Sequence, residues 1–217
     1  MVAERGVPER TGAVPAGADV QRERILRAAA LALAEHGFDA ARLRDVANSA
    51  QVSIGSIQHH FETRDALFRH AFEWSISELI GRWRCTAVGE PDPWRRFELL
   101  VRELTGDPDL IRRCTTWTEF CASAARHEEL RDGIRRVHDE WRALVSGILA
   151  EGVASGEFTP VMSQEAVVGA VMAVVDGCDM TIATDGGLTP ERYAEVLLGT
   201  GRAVFGVRGE GRSSGEW

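Results

Sequence analysis

The 217 residues are 44% apolar, enough to bury an ordinary globular core, and this excludes a disordered or fibrous chain. Cys85, Cys114, Cys121 and Cys178 form no C-x-x-C pair and have no zinc-ligand spacing, so they read as reduced thiols of a cytosolic protein. All 25 basic residues are arginine against 33 acids, for a net charge of −8, but residues 1–64 are balanced at eight against eight, so only this part is suited to lie against phosphates.

Apolar residues recur at three and four rather than two, which predicts an all-α chain of about nine helices. Met1 to Asp19 lacks the apolar stretch of a signal peptide, and residues 1–18 are expected to form a disordered tail. A first helix runs from about Val20 to His36, with Leu26, Ala30 and Leu33 on one stripe and Gly37 as its stop. Two short helices follow, Leu43 to Ala50 and Ile54 to Phe61. A fourth begins near Thr63, an N-cap candidate, carries Phe68, Phe72, Leu79, Ile80 and Trp83, and ends near Val88, a length of roughly 35 Å. Gly and Pro then punctuate helices at about Pro93–Leu104, Pro108–Arg126, Glu128–Ala154, Ser163–Thr184 and Thr189–Phe205. Residues 207–217 read as a second disordered tail. The longest apolar run, Ala166 to Val175, is half a membrane span, so no membrane partner is expected.

Leu43 to Ile57 meets the physical requirements of a helix-turn-helix. Ala47 is small enough to let the second helix cross the first, while Val46, Ala50, Val52, Ile57 and Phe61 supply a miniature core. Ser53 is placed to cap the second helix, leaving Ile54, Ser56, Gln58 and His59 near its exposed N-terminal end.

The run Arg44-Asp45-Val46-Ala47, then Ala50, Val52-Ser53-x-Gly55-x-Ile57, His60-Phe61, Arg64 and Leu67, resembles the N-terminal signature of the TetR family. The resemblance implies a head at residues 19–64 and a ligand-binding and dimerisation domain at 65–206. It implies that Ser53, Ile54, Gly55, Ser56, Gln58 and His59 lie at or near base edges. Arg42, Arg44, His60 and Arg64 would clamp phosphates, with Arg22 or Arg24 as further candidates. Gln58 suits adenine N6 and N7, and Ile54 a thymine methyl. Two departures stand out: Gln51 occupies a turn position where the family usually has Gly, and Gln58 one where it commonly has Tyr.

Further on, Trp117-Thr118-Glu119-Phe120-Cys121-Ala122, Glu128-Glu129-Leu130-Arg131, Trp141-Arg142, Gly156-Glu157-Phe158 and Asp176-Gly177 resemble the choline-pathway repressor subgroup. This implies a homodimer through the last two helices and an effector cavity, for which Phe72, Trp83, Trp117, Phe120, Cys121, Trp141, Met172 and Asp176 are the candidates. Aromatic faces beside carboxylates can hold a cation. Glu119, Asp176 and Asp179 are such acids, with surface or Arg-paired roles as the alternative. Cys114 and Cys121, seven apart, admit a redox sensor that lacks an activating base.

The reading is a cytoplasmic, ligand-responsive repressor that binds a palindromic DNA operator, without cofactor or metal. An activator or a ligand-independent regulator is the alternative. A helical enzyme has no support from motifs: there is no P-loop or nucleophile elbow, and no histidine is paired with an acid at catalytic spacing.

Overall fold

A computed structural model describes residues 17–207; the two expected tails lie outside that range except at their inner edges. Val207 bridges antiparallel to Phe158, so ordered structure extends one residue further than expected. Among the described residues the chain forms nine α-helices: α1 Gly17–Ala40, α2 Leu43–Ala50, α3 Ile54–His60, α4 Arg64–Thr86, α5 Pro93–Thr105, α6 Leu110–Ala124, α7 Arg131–Ser155, α8 Gln164–Ala183 and α9 Pro190–Phe205. A single 3-10 turn, Glu128–Leu130, precedes α7.

Helices start where a short polar side chain can satisfy an otherwise free N–H. Ser53 accepts from the Ser56 amide at 3.1 Å and Thr63 from the Ala66 amide at 3.0 Å, fixing the starts of α3 and α4. Asp92, Ser163 and Thr189 do the same for α5, α8 and α9. Within α1 the helical backbone breaks at Gly37, at φ 72° and ψ 170°, a conformation open only to glycine. The predicted stop is therefore real, and residues 38–40 form a separate turn.

α1, α2 and α3 close around Ile25, Leu26, Ala29, Val46, Ala50, Ile57 and Phe61, all buried. Ala47 is buried too, while Val52 is only half-buried. Gln51 takes the left-handed conformation at φ 53°, at a cost of about 1–2 kcal/mol. The neighbouring backbone offsets part of this: Val52 N–H reaches the Ala47 carbonyl at 3.0 Å, and the Arg24 guanidinium caps the Ala50 carbonyl at 2.8 Å.

The 23 residues of α4 span about 34 Å, with one end under the head and the other against α5. α8 packs on α6, α7 and α9. Its mean hydropathy of 1.7 makes it long and apolar enough to cross a membrane by length and composition, yet it carries the buried Asp179 and seats Val167, Val171, Met172 and Ile182 in the core.

Candidate DNA-reading face and effector cavity

On α3 and the turn before it, Ser53, Ile54, Gly55, Gln58 and His59 are exposed, and Arg42 and Arg44 are exposed around the start of α2. Ser56 and His60 are turned inward. Gln21 Oε1 accepts from the Ser56 hydroxyl at 3.3 Å and lies 3.2 Å from His60 Nε2, so one α1 side chain steadies α3 at two points. Arg22 lies over the Phe61 ring at 5.3 Å. Ser56 and His60 are thus partly committed to the fold, which sets them apart from the exposed Gln58 and His59.

Arg64 departs furthest from the expectation. Its guanidinium donates to the Ala41 carbonyl at 3.0 Å, to the Phe38 carbonyl and to Asp65 at 2.8 Å, and it stacks over Phe38 and Phe68 at 4.9 and 4.8 Å. A phosphate clamp needs free outward donors. Three of the five N–H donors of Arg64 hold the start of α4 to the end of α1, so the side chain acts as a structural tie.

In the larger domain, four of the expected cavity residues converge. Trp117, Trp141, Met172 and Asp176 line a small, partly open void with Arg113, His138 and Asp179. The void holds about 20 Å³, room for roughly one water. A second, wholly apolar void of about 10 Å³ lies on the far side of Trp141 and Met172, which line both. Phe72 and Phe120 belong instead to packed core: Phe72 stacks on Trp117 at 5.4 Å and on Phe120 at 4.2 Å. Trp83 is remote from the void, its Nε1 donating to the Arg96 carbonyl at 3.2 Å. Cys121 does not line the void either, and burial pushes its thiol up to about 12; burial also raises that of Cys114, so neither is a reactive thiolate. All four cysteines are free.

Two acids dominate the void. Asp176 Oδ1 accepts from Trp117 Nε1 at 3.1 Å, and Oδ2 lies 3.7 Å from His138 Nε2. Burial raises the Asp176 carboxyl above its ordinary range. Asp179 is buried and fully partnered, by Arg113 at 3.1 Å, the Tyr193 hydroxyl at 2.9 Å and the Cys114 thiol at 3.1 Å. Arg113 Nε and His138 Nε2 are buried without hydrogen-bond partners. A much wider concavity, about 620 Å³, is an open groove elsewhere, between the end of α1, the start of α6 and the α8–α9 connection.

Comparison with known proteins gives this geometry a context. The family "Bacterial regulatory proteins, tetR family" matches residues 25–71, and "BetI-type transcriptional repressor, C-terminal" matches residues 93–200. The transcriptional repressor Rv1474c of Mycobacterium tuberculosis is 33% identical over 162 residues, covering 63% of this chain and 84% of that protein. The chain belongs to the TetR family. Within that family, the regulator BetI of Serratia proteamaculans is 27% identical over 196 residues, 88% of this chain and 94% of its own. A TetR-family regulator from Rhodococcus superimposes with a TM-score of 0.78 at 25% identity, covering 86% of this chain and 99% of its own. A Saccharomonospora viridis regulator solved with choline shares the fold, with a TM-score of 0.73 at 20% identity, covering 82% and 94%. This TetR-family chain is accordingly a ligand-responsive, DNA-binding transcriptional regulator.

Sequence reasoning missed Gln21, Arg113 and His138. For the last two a signal existed: Arg113 lies one helical turn before Trp117, and His138 three residues before Trp141, so each shares a face with an aromatic already singled out for the cavity of this TetR-family chain. Gln21 left none, because its partners lie 35 and 39 residues away.

Proposed function

We propose that the chain is a homodimeric repressor whose residues 19–64 read a two-fold symmetric operator and whose residues 65–206 dimerise and take a small cationic effector. The observation that carries the reading is α3 itself: capped by Ser53, steadied by Gln21, and exposing Ile54, Gly55, Gln58 and His59 on a head without net negative charge. Arg42 and Arg44 are the phosphate contacts, and His59 stays with the residues at base edges.

Dimerisation through α8 and α9 is supported by the outer face of α8. Ala166, Ala173, Gly177 and Met180 are exposed there, and a Cβ at Gly169 or Gly177 would meet nothing within 4 Å. An apolar helix side with small residues suits close approach by another helix. The effector class follows from charge. Arg113 is spent on Asp179, leaving Asp176, which meets Trp117 Nε1 and His138 but no arginine within ion-pair distance, as the anionic group beside the rings of Trp117 and Trp141. Arg113 lines both the void and an outer groove of about 400 Å³ between α1, α4 and α6, and its ion pair with Asp179 stands between the two. A ligand that prefers the expanded cavity releases DNA only by its differential affinity for that state. A regulator of bacterial DNA works in the cytoplasm.

Fluorescence anisotropy on duplexes from the chain's own upstream region tests this. Two arginines from each of two protomers give an expected salt slope, log K against log salt, of about −3.6. A salt-insensitive complex, or a half-site bound as tightly as the symmetric duplex, rules the reading out.

A further inference from the structure

We propose that Phe38 is the mechanical joint between the effector domain and the reading head, and that Glu119 of α6 is the positioning residue that carries movement into it. The inference rests on the regulator reading above. Phe38 is held from two sides by its own peptide groups. Its N–H donates to Glu119 Oε1 of α6 at 3.2 Å, and its carbonyl accepts from Arg64 of α4. Its ring is buried against Phe68 of α4 at 6.1 Å and against His127, just beyond α6, at 5.3 Å. The next residue, Asp39, meets Arg126 and His127 at 3.1 Å each, so the turn after the α1 break is held by the far end of α6 as well.

The break at Gly37 makes this a joint rather than a weld. Because the helix is interrupted there, residues 38–40 can shift without bending α1 as a whole. Gly37 also clears the space the carboxylate needs, since a Cβ at that position would lie 3.0 Å from Glu119 Oε1. Ser123, one turn along α6, donates to the same oxygen at 3.3 Å and steadies it. The other end of the lever is the cavity. Trp117 and Arg113 line the void and lie two and six residues before Glu119 on the same helix. A rigid helix that is pushed at Trp117 must move Glu119 as well, and Phe38 then follows α6 or stays with α4.

Coupling between two sites is reciprocal, so DNA bound to the head must be felt in α6 without any effector present. Hydrogen exchange is measured on the full chain, free and bound to a duplex from its upstream region. Amides of Arg113 to Ala124 are expected to change by about fivefold or more on DNA binding, the lower range of ordinary coupling. Glu119→Met, matched in length but without an acceptor, should bind the same duplex and lose the α6 change, whereas Glu119→Gln, which keeps an acceptor oxygen, should restore it. Should the Met variant not fold, Ser123→Ala replaces it, and the α6 change is expected to weaken. Wild-type α6 unmoved by bound DNA, or full transmission through either acceptor-weakening variant, overturns the joint. A protein that binds no duplex overturns the regulator reading as well, and the missing complex is seen before any exchange is measured.

Discussion

Arg64 and Arg44 carry the same charge on the same head, and their neighbours give them opposite work. Arg44 is exposed at the start of α2, whereas Arg64 is closed in by two backbone carbonyls, one carboxylate and two aromatic faces. Removing Arg64 leaves two carbonyls without their charged donor, and hydrogen bonds to charged groups contribute about 1.5–3 kcal/mol each in favourable settings. Its side chain keeps 30% of its exposure, so water replaces part of the loss, and Arg64→Ala is expected to cost about 2 kcal/mol in total. Thermal denaturation should then show a Tm lower by about 4–8 °C. The salt slope of DNA binding should stay as in the parent, while Arg44→Ala leaves Tm unchanged and flattens that slope. An Arg64→Ala protein of parental stability with a flattened slope would return Arg64 to the phosphate contacts.

Among the elements, α8 is the one whose sequence makes most sense only with a neighbour outside the chain. Gly177 sits on its open side, where an added Cβ meets nothing within 4 Å among the described residues. Glycine inside a helix costs roughly 0.5–1 kcal/mol relative to alanine, so Gly177→Glu should improve the isolated helix. In a helix-to-helix interface the same change buries a charge. Sedimentation should therefore find the parent as a dimer and Gly177→Glu as a monomer with unchanged helical content; a variant that remains dimeric places the interface elsewhere. The elements were legible for local reasons. Ser53, Thr63 and Gly37 act within four residues of themselves, and the starts of α3 and α4 fall at or within one residue of the predicted positions. What escaped is set by distance along the chain. No pattern near position 64 announces that its donors meet Phe38 and Ala41. Trp83 and Trp117 look alike on their helices, and only the crossing of α6 and α8 brings one beside Asp176 and leaves the other at Arg96.

Seen as a whole, the proposed effector region is built around Asp176, an acid whose ionised form the fold disfavours. Asp176 is flanked by a void with room for about one water, accepts from the Trp117 indole N–H at 3.1 Å and lies 3.7 Å from the His138 ring. Burial raises its carboxyl in the folded state, so the fold favours the protonated form. An acid whose folded value lies above its unfolded one contributes its stability fully at pH below the unfolded value, and that contribution is lost as pH rises through the folded value. Ionising this carboxyl thus costs more in the closed fold than in the unfolded chain, a cost that a bound cation would relieve. Asp176→Asn removes the charge and keeps an oxygen to accept from Trp117. Below about pH 3, where the parent is largely protonated in both states, the two proteins should melt together. As pH rises toward 7 the asparagine variant should become progressively the more stable, and its DNA binding should no longer respond to a small quaternary ammonium probe that releases the parent. Denaturation scans across this range decide the point: an asparagine variant less stable than the parent at pH 7 would mean that Asp176 is held as an ion by His138, leaving no unmet charge for an effector to satisfy.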